Sequence, residues 1–213
     1  MKFFPNFQII QNSDGIFISQ DKYLKYLLKR FGLESCNPIR TPMIIGHKLS
    51  SKDETPIVEH NKYRSMIKDL QYLNHNKLDI ENVVGIVARS QADPKESHYA
   101  VVKRIFRYLK GTPTFQLWYD RSSDFTLCAY IDAAWVGSMD GRKSTSGGAF
   151  FLGGRLVSWL RKKHDCISQS TINIEYVETT NNGSQIMWMK KMLKDIGIEF
   201  LELLSYIVIT KAQ

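Results

Sequence analysis

Phe125-Thr126-Leu127-Cys128-Ala129-Tyr130-Ile131-Asp132 is the stretch that sets the fold class. Phe125, Leu127, Ala129 and Ile131 alternate with Thr126, Cys128, Tyr130 and Asp132, the period of a strand with one face in a core. Asp132 closes that strand on its other face. Downstream, residues 149–152 and 155–159 predict a hairpin with Gly153-Gly154 as its tight turn. Ser170 or Thr171 then caps a long helix carrying Ile174, Ile186, Met189, Leu193 and Ile196. Met187, Met189 and Met192 on that helix are read as core packing. Strand, hairpin and helix in this order open an α/β domain. Gly147-Gly148 is read as a turn and not as a phosphate cradle, because no Gly-rich loop here runs into a Lys-Ser/Thr pair and a helix.

Upstream, residues 7–10 and 15–19 predict two short strands joined by an Asn-Ser-Asp-Gly turn at residues 12–15. Tyr23, Leu24, Leu27, Leu28 and Phe31 then share one helical face, with Lys22, Lys25, Lys29 and Arg30 around it. Gly32 ends that helix, and Pro38 and Pro42 keep the next segment extended. Residues 43–56 read as a linker with few apolar anchors. From about residue 60 to 111 the period is helical. Tyr63, Met66, Leu70 and Leu73 mark one helix face; Val102, Ile105, Phe106 and Leu109 mark another.

The 213 residues allow one domain or two small ones. An apolar fraction of 43% and a charged fraction of 23% argue against wholesale disorder. A formal charge of +8 and a pI near 9.3 favour an anionic partner such as nucleic acid. Cys36, Cys128 and Cys166 are far apart, which excludes a paired zinc-ligand spacing and a disulfide framework. No run approaches the roughly 18 apolar residues of a membrane helix. No secretion signal opens the chain, leaving cytoplasm or nucleus. Nothing in the sequence sets the oligomeric state.

Asp132 and Glu175 are the candidate catalytic and metal-ligating carboxylates: paired oxygen ligands suit a hard cation such as magnesium, although an isolated pair so far apart in sequence is more often a surface contact or a helix cap. Lys103, Arg104, Arg107 and Lys110 line one side of a helix at spacings of three and four, either as a solvated face or as a surface for backbone phosphates. Arg142, Lys143, Arg161, Lys162 and Lys163 form a second basic group, either a charged rim or a contact for an RNA–DNA hybrid beside Asp132. His98 and His164 have no ligand cluster and read as surface or packing residues. Ser168 and Ser170 read as helix caps.

In order along the chain, Gly15-Ile16-Phe17-Ile18-Ser19-Gln20 with Lys22-Tyr23 and Leu27-Leu28, Thr41-Pro42-Met43, Tyr63-Arg64-Ser65, Asp79-Ile80, Ser97-His98, Lys103-Arg104-Ile105 and Tyr108-Leu109-Lys110-Gly111-Thr112 form one dispersed pattern. Asp132-Ala133, Trp135, Gly137, Arg142-Lys143-Ser144-Thr145-Ser146-Gly147, Trp159, Lys162-Lys163, Ser170-Thr171, Glu175-Tyr176 and Trp188-Met189 continue it. Together they resemble the C-terminal part of copia-type retrotransposon Pol polyproteins, to about Phe200. The resemblance implies the end of a reverse transcriptase over residues 1–43, a linker and helical connection region over 44–120, and a truncated RNase H-like domain over 121–200. Residues 201–213 fall outside the pattern as an aberrant tail. It also implies an incomplete RNase H-like mixed sheet, with Asp132 and Glu175 as ancestral ligands of two Mg2+ or Mn2+ ions that cut RNA in an RNA–DNA hybrid.

The departures from that pattern imply an inactive or weakened nuclease. Asp132-Ala133-Ala134-Trp135 stands where the family has Asp-Ala-Asp-Trp, and Asn173 replaces another carboxylate. Lys77-Leu78-Asp79-Ile80 stands for Arg-Pro-Asp-Ile, and Pro5-Asn6 for Leu-Gly. Asp140 and Glu178 are conceivable replacement carboxylates. No Tyr-x-Asp-Asp polymerase motif occurs. Where the family has a strand ending in Tyr-Cys-Asp-Asn, this chain reads Tyr206-Ile207-Val208-Ile209-Thr210. One legal way to encode those residues, TAT ATT GTG ATA ACA, contains TAT TGT GAT AAC in a shifted frame, which spells Tyr-Cys-Asp-Asn, so a frameshift over the last thirteen or so residues is the expectation. Two outcomes stay open for the sheet: an exposed edge beside residues 125–132, or residues 200–210 supplying a strand there. Three functions remain in view: an inactive relic with residual nucleic-acid binding, a weak hybrid-specific ribonuclease, and a domesticated binding module without chemistry.

Overall fold

A computed structural model describes residues 3–4, 6–44, 49, 53–113, 115–121, 125–134, 145–163, 171–198 and 205–209. The chain divides into two compact units, Met1–Arg121 and Ser122–Gln213.

In the first unit, strands β1 (Phe3–Phe4), β2 (Phe7–Gln11), β3 (Gly15–Ser19) and β4 (Leu117–Asp120) form an antiparallel sheet in that order. The hairpin read from residues 7–19 is present, with Ile9 opposite Ile18. Strand β4 was not legible: it is four residues long and pairs with β3 a hundred positions earlier, Phe17 opposite Trp118. Helices α1 (Asp21–Arg30), α2 (His60–Leu73), α3 (Leu78–Ala88) and α4 (Glu96–Gly111) share one core. Leu27, Tyr63, Leu70, Ile80, Ile105 and Phe106 are all fully buried within it. The segments read separately as residues 1–43 and 44–120 thus contribute to the same core.

Several polar groups inside this unit tie its elements together through hydrogen bonds. Asp69 joins α1 to α2 by accepting from Arg30 Nη1 at 2.9 Å and from the Tyr23 hydroxyl at 3.1 Å. The Tyr63 hydroxyl donates to the Val87 carbonyl at 2.7 Å, tying α2 to the end of α3. Lys77, at the start of α3, is only 3% exposed. Its Nζ donates to the Thr112 carbonyl at 3.0 Å and also to the Phe115 carbonyl. Burial pushes its ammonium below the usual lysine range, while Asp79 and Asp21 pull it back up. A cation at those carbonyls also suits the negative end of the α4 dipole.

In the second unit, β5 (Leu127–Ala134), β6 (Thr145–Leu152), β7 (Arg155–Lys163) and β8 (Ser205–Ile209) form a sheet in the order β7-β6-β5-β8. The pairs β5–β6 and β6–β7 are antiparallel; β5–β8 is parallel. Helix α5 (Thr171–Asp195) precedes β8 and packs on the sheet through Ile186 and Met189. Parallel neighbours need such a crossover. Gly153 and Gly154 turn the β6–β7 hairpin at φ 57° and 77°, the positive pair that a tight two-residue turn requires. Of the two outcomes left open for the sheet edge, β8 realises the second: residues 205–209 pair along β5.

Three expectations are corrected here. Gly147-Gly148 lies inside β6, laddered on both sides to β5 and β7, and is not a turn. Leu127, Ala129 and Ile131 are buried as the alternation requires, but Phe125 is exposed, just ahead of the strand. On α5 only Met189 of the three methionines is buried; Met187, Met192 and also Ile196 face solvent, since the helix offers the sheet a single stripe.

Candidate nucleic-acid interface

The sharpest helix in the sequence is also the best-defined basic surface. Helix α4 begins after Lys95, whose backbone N–H donates to Nδ1 of His98 at 3.1 Å. His98 is buried at this cap, so its role is packing and capping. Val102, Ile105, Phe106 and Leu109 are fully buried, as their spacing predicts, which turns Lys103, Arg104, Arg107 and Lys110 to the other side.

The four cations are held differently. Lys103 meets the Glu96 carboxylate at 3.4 Å and lies 4.0 Å from the centre of the Tyr99 ring. The other three bind the segment 34–41, which turns at residues 34–35 before Asn37. Arg104 donates from Nε to the Thr41 carbonyl at 3.2 Å and from Nη2 to the Thr41 hydroxyl at 2.9 Å. Arg107 donates from Nε to the Asn37 carbonyl at 2.8 Å. Lys110 donates from Nζ to the carbonyls of Glu34 and Cys36 at 2.5 and 2.7 Å. Among the described residues, none of these three has a carboxylate partner. Their positive charge therefore stays uncancelled, and all three side chains are half-buried, not enclosed.

The segment is fixed by more than these bonds. Ile39 packs against the core and its N–H donates to the Arg107 carbonyl at 3.4 Å. A Cβ at Gly111 would stand 3.1 Å from Pro38 Cβ, so the end of α4 and the segment are in close contact. The acceptors Glu34, Cys36, Asn37 and Thr41 were missed in the sequence. The available signal was Pro38 and Pro42: an extended proline-bound stretch cannot satisfy its own carbonyls and needs outside donors.

The remaining site residues are placed as follows. Asp132 lies in β5 opposite Gly147 of β6 and Ile209 of β8. Glu175 and Glu178 lie in α5; the side chains of Asp132, Glu175 and Glu178 are not among those described. Lys162 and Lys163 end β7, opposite Ser146 and Thr145. Asp140, Arg142, Lys143, His164, Ser168 and Ser170 lie outside the described residues. Among the described residues, no group of three or more His, Cys, Asp or Glu could hold a metal ion, and no helix is long and apolar enough to cross a membrane. On the ladder beside Asp132, Gly147 and Ile209 bring no oxygen-bearing side chain to a hard cation.

Similarity to known proteins agrees with the dispersed motif pattern. The chain is 33% identical over 204 residues to the retrovirus-related Pol polyprotein from transposon TNT 1-94 of Nicotiana tabacum, a match covering 92% of this chain and 15% of that protein. It is 34% identical over 184 residues to the Pol polyprotein from transposon RE1 of Arabidopsis thaliana, covering 86% of this chain and 13% of that protein. An uncharacterized mitochondrial protein of Arabidopsis thaliana, AtMg00810, is 32% identical over 187 residues, with 87% of this chain and 77% of that protein covered. Over most of its length the chain is homologous to retrotransposon Pol polyproteins. It spans about a seventh of the length of the Pol polyproteins it matches. No family model and no solved structure matches it.

Proposed function

We propose that the chain is a non-catalytic, nucleic-acid-binding portion of a copia-type Pol polyprotein, with an RNase H-like second unit that lacks a two-ion site. The observation that carries this reading is the register of β5. The sheet order β7-β6-β5-β8, with only β8 parallel to β5, supports an RNase H-like reading, and the position beside Asp132 on β8 is Ile209. A two-ion nuclease needs several oxygen ligands around one point. Asp132 and Glu175 are too few to offset the repulsion and desolvation of two bound ions, so Mg2+ or Mn2+ is an ancestral partner here.

Cleavage of an end-labelled RNA–DNA hybrid tests this, in magnesium and then manganese, with the wild type and Asp132→Asn. The expected result is no cleavage by folded wild type in either metal, with hybrid binding that weakens as salt rises. Cleavage that disappears in Asp132→Asn would replace this reading with that of a weak metal-dependent ribonuclease.

The same register bears on the gene. In the shifted frame that spells Tyr-Cys-Asp-Asn, the aspartate codon overlaps the codon of Ile209, the residue opposite Asp132. A frame change at the tail therefore accounts for an isoleucine where a carboxylate is needed. The genomic sequence is expected to read TAT ATT GTG ATA ACA over residues 206–210; codons that exclude the shifted Tyr-Cys-Asp-Asn would sink the idea.

A further inference from the structure

A guanidinium carries its donors on Nε and on two terminal nitrogens, and which of them are spent decides what the group can still bind. Arg107 spends Nε on the Asn37 carbonyl, and its Nη1 and Nη2 have no partner among the described residues. Arg104 spends Nε and Nη2 on Thr41, leaving Nη1. Lys110 gives two of its three protons to carbonyls. Every acceptor is neutral, so the segment immobilises three cations without cancelling their charge. The contrast is Lys103 on the same helix, which is paired to the Glu96 carboxylate. Ile39 against the core and Pro38 against Gly111 anchor the segment by packing as well as by these side-chain bonds.

We infer that residues 34–41 are a positioning strap, which locks Arg104, Arg107 and Lys110 through backbone carbonyls and so presents the Nη1/Nη2 edge of Arg107 to a phosphodiester of a nucleic-acid strand. This rests on the reading of α4 as a nucleic-acid interface and adds how that interface is organised. Two parallel N–H donors match two phosphate oxygens, which an ammonium cannot imitate. Pre-ordered side chains also bind without the entropy cost of being fixed at the moment of contact. Arg107 is in these terms a binding residue, and Asn37, Pro38, Ile39 and Thr41 are positioning residues.

The test uses the whole chain, a fluorescein-labelled RNA–DNA hybrid over a salt series, and side-chain 15N spectra. Arg107→Ala and Arg107→Lys are each expected to weaken hybrid binding by about tenfold, the lysine variant keeping the salt slope. Pro38→Gly combined with Ile39→Ser loosens the strap while leaving every residue of α4 in place, and is expected to weaken binding by about tenfold while keeping the slope. The Nε–H signals of Arg104 and Arg107 should be protected from exchange in the wild type and lose protection in that double variant. Wild-type affinity in Arg107→Lys would overturn the bidentate edge, and unchanged or tighter binding in the loosened variant would overturn the strap. Protected Nε–H signals in a wild type that binds no hybrid at low salt would instead remove the interface reading itself, and the strap's role with it.

Discussion

Replacing Gly148 with valine is expected to destabilise the second unit by roughly 4 kcal/mol. Gly148 sits in mid-strand on β6, between Ile131 of β5 and Leu160 of β7. A Cβ there would lie 2.2 Å from Asn182 Oδ1 and 3.2 Å from Phe150 Cζ. Asn182 is fully buried on α5, so the helix has no room to retreat without giving up Ile186 and Met189 against the sheet. The cost combines overpacking with the displacement of a buried amide. Hydrogen exchange measured peptide by peptide would show the loss of protection in β5, β6 and α5. Gly148→Ala with Asn182→Ala restores the space and should recover much of the stability. If Gly148→Val exchanges like the wild type, the close packing of α5 on β6 is not as described.

The second large effect belongs to the first unit. Phe106→Ala should cost about 3–5 kcal/mol, the range for deleting a fully buried aromatic. Phe106 is fully buried on α4, and its ring lies 5.4 Å from that of Phe31. The cavity would open beneath the helix that carries Arg104 and Arg107. Urea unfolding followed by exchange of α1, α2 and α4 peptides should therefore show an earlier transition in the variant. A cost under about 1 kcal/mol would mean that the core collapses into the space, against the close packing expected here.

These two residues also mark what a sequence makes legible. Phe106 was readable because a helix repeats its buried positions every three or four residues, so the period identifies the face locally. The alternation of Leu127, Ala129 and Ile131 was readable for the same reason, and all three are buried. Gly148 was not, because a glycine pair has the same local signature in a turn and beneath a helix; only Asn182, distant in sequence, distinguishes them. Strand β4 was invisible because four residues have too little period, and its partner β3 lies far back in the chain. The charge of the α4 face was legible, whereas its partners were not: backbone carbonyls have no letter in a sequence. Met187 and Met192 of α5 were misread, though Met189 was not, because helix type does not fix how wide a stripe the sheet will cover.

Strand β8 has a consequence of a different kind. The ladder between β5 and β8, from Cys128 opposite Ser205 to Asp132 opposite Ile209, is made by backbone groups that every residue but proline supplies. The run Tyr206-Ile207-Val208-Ile209 serves it well because β-branched side chains suit any sheet. Shape is thus cheap to inherit and chemistry is not, for many codon strings spell a strand and few spell a carboxylate at one register. A sheet of this architecture can therefore keep its outline through changes that would remove a carboxylate from the position beside Asp132.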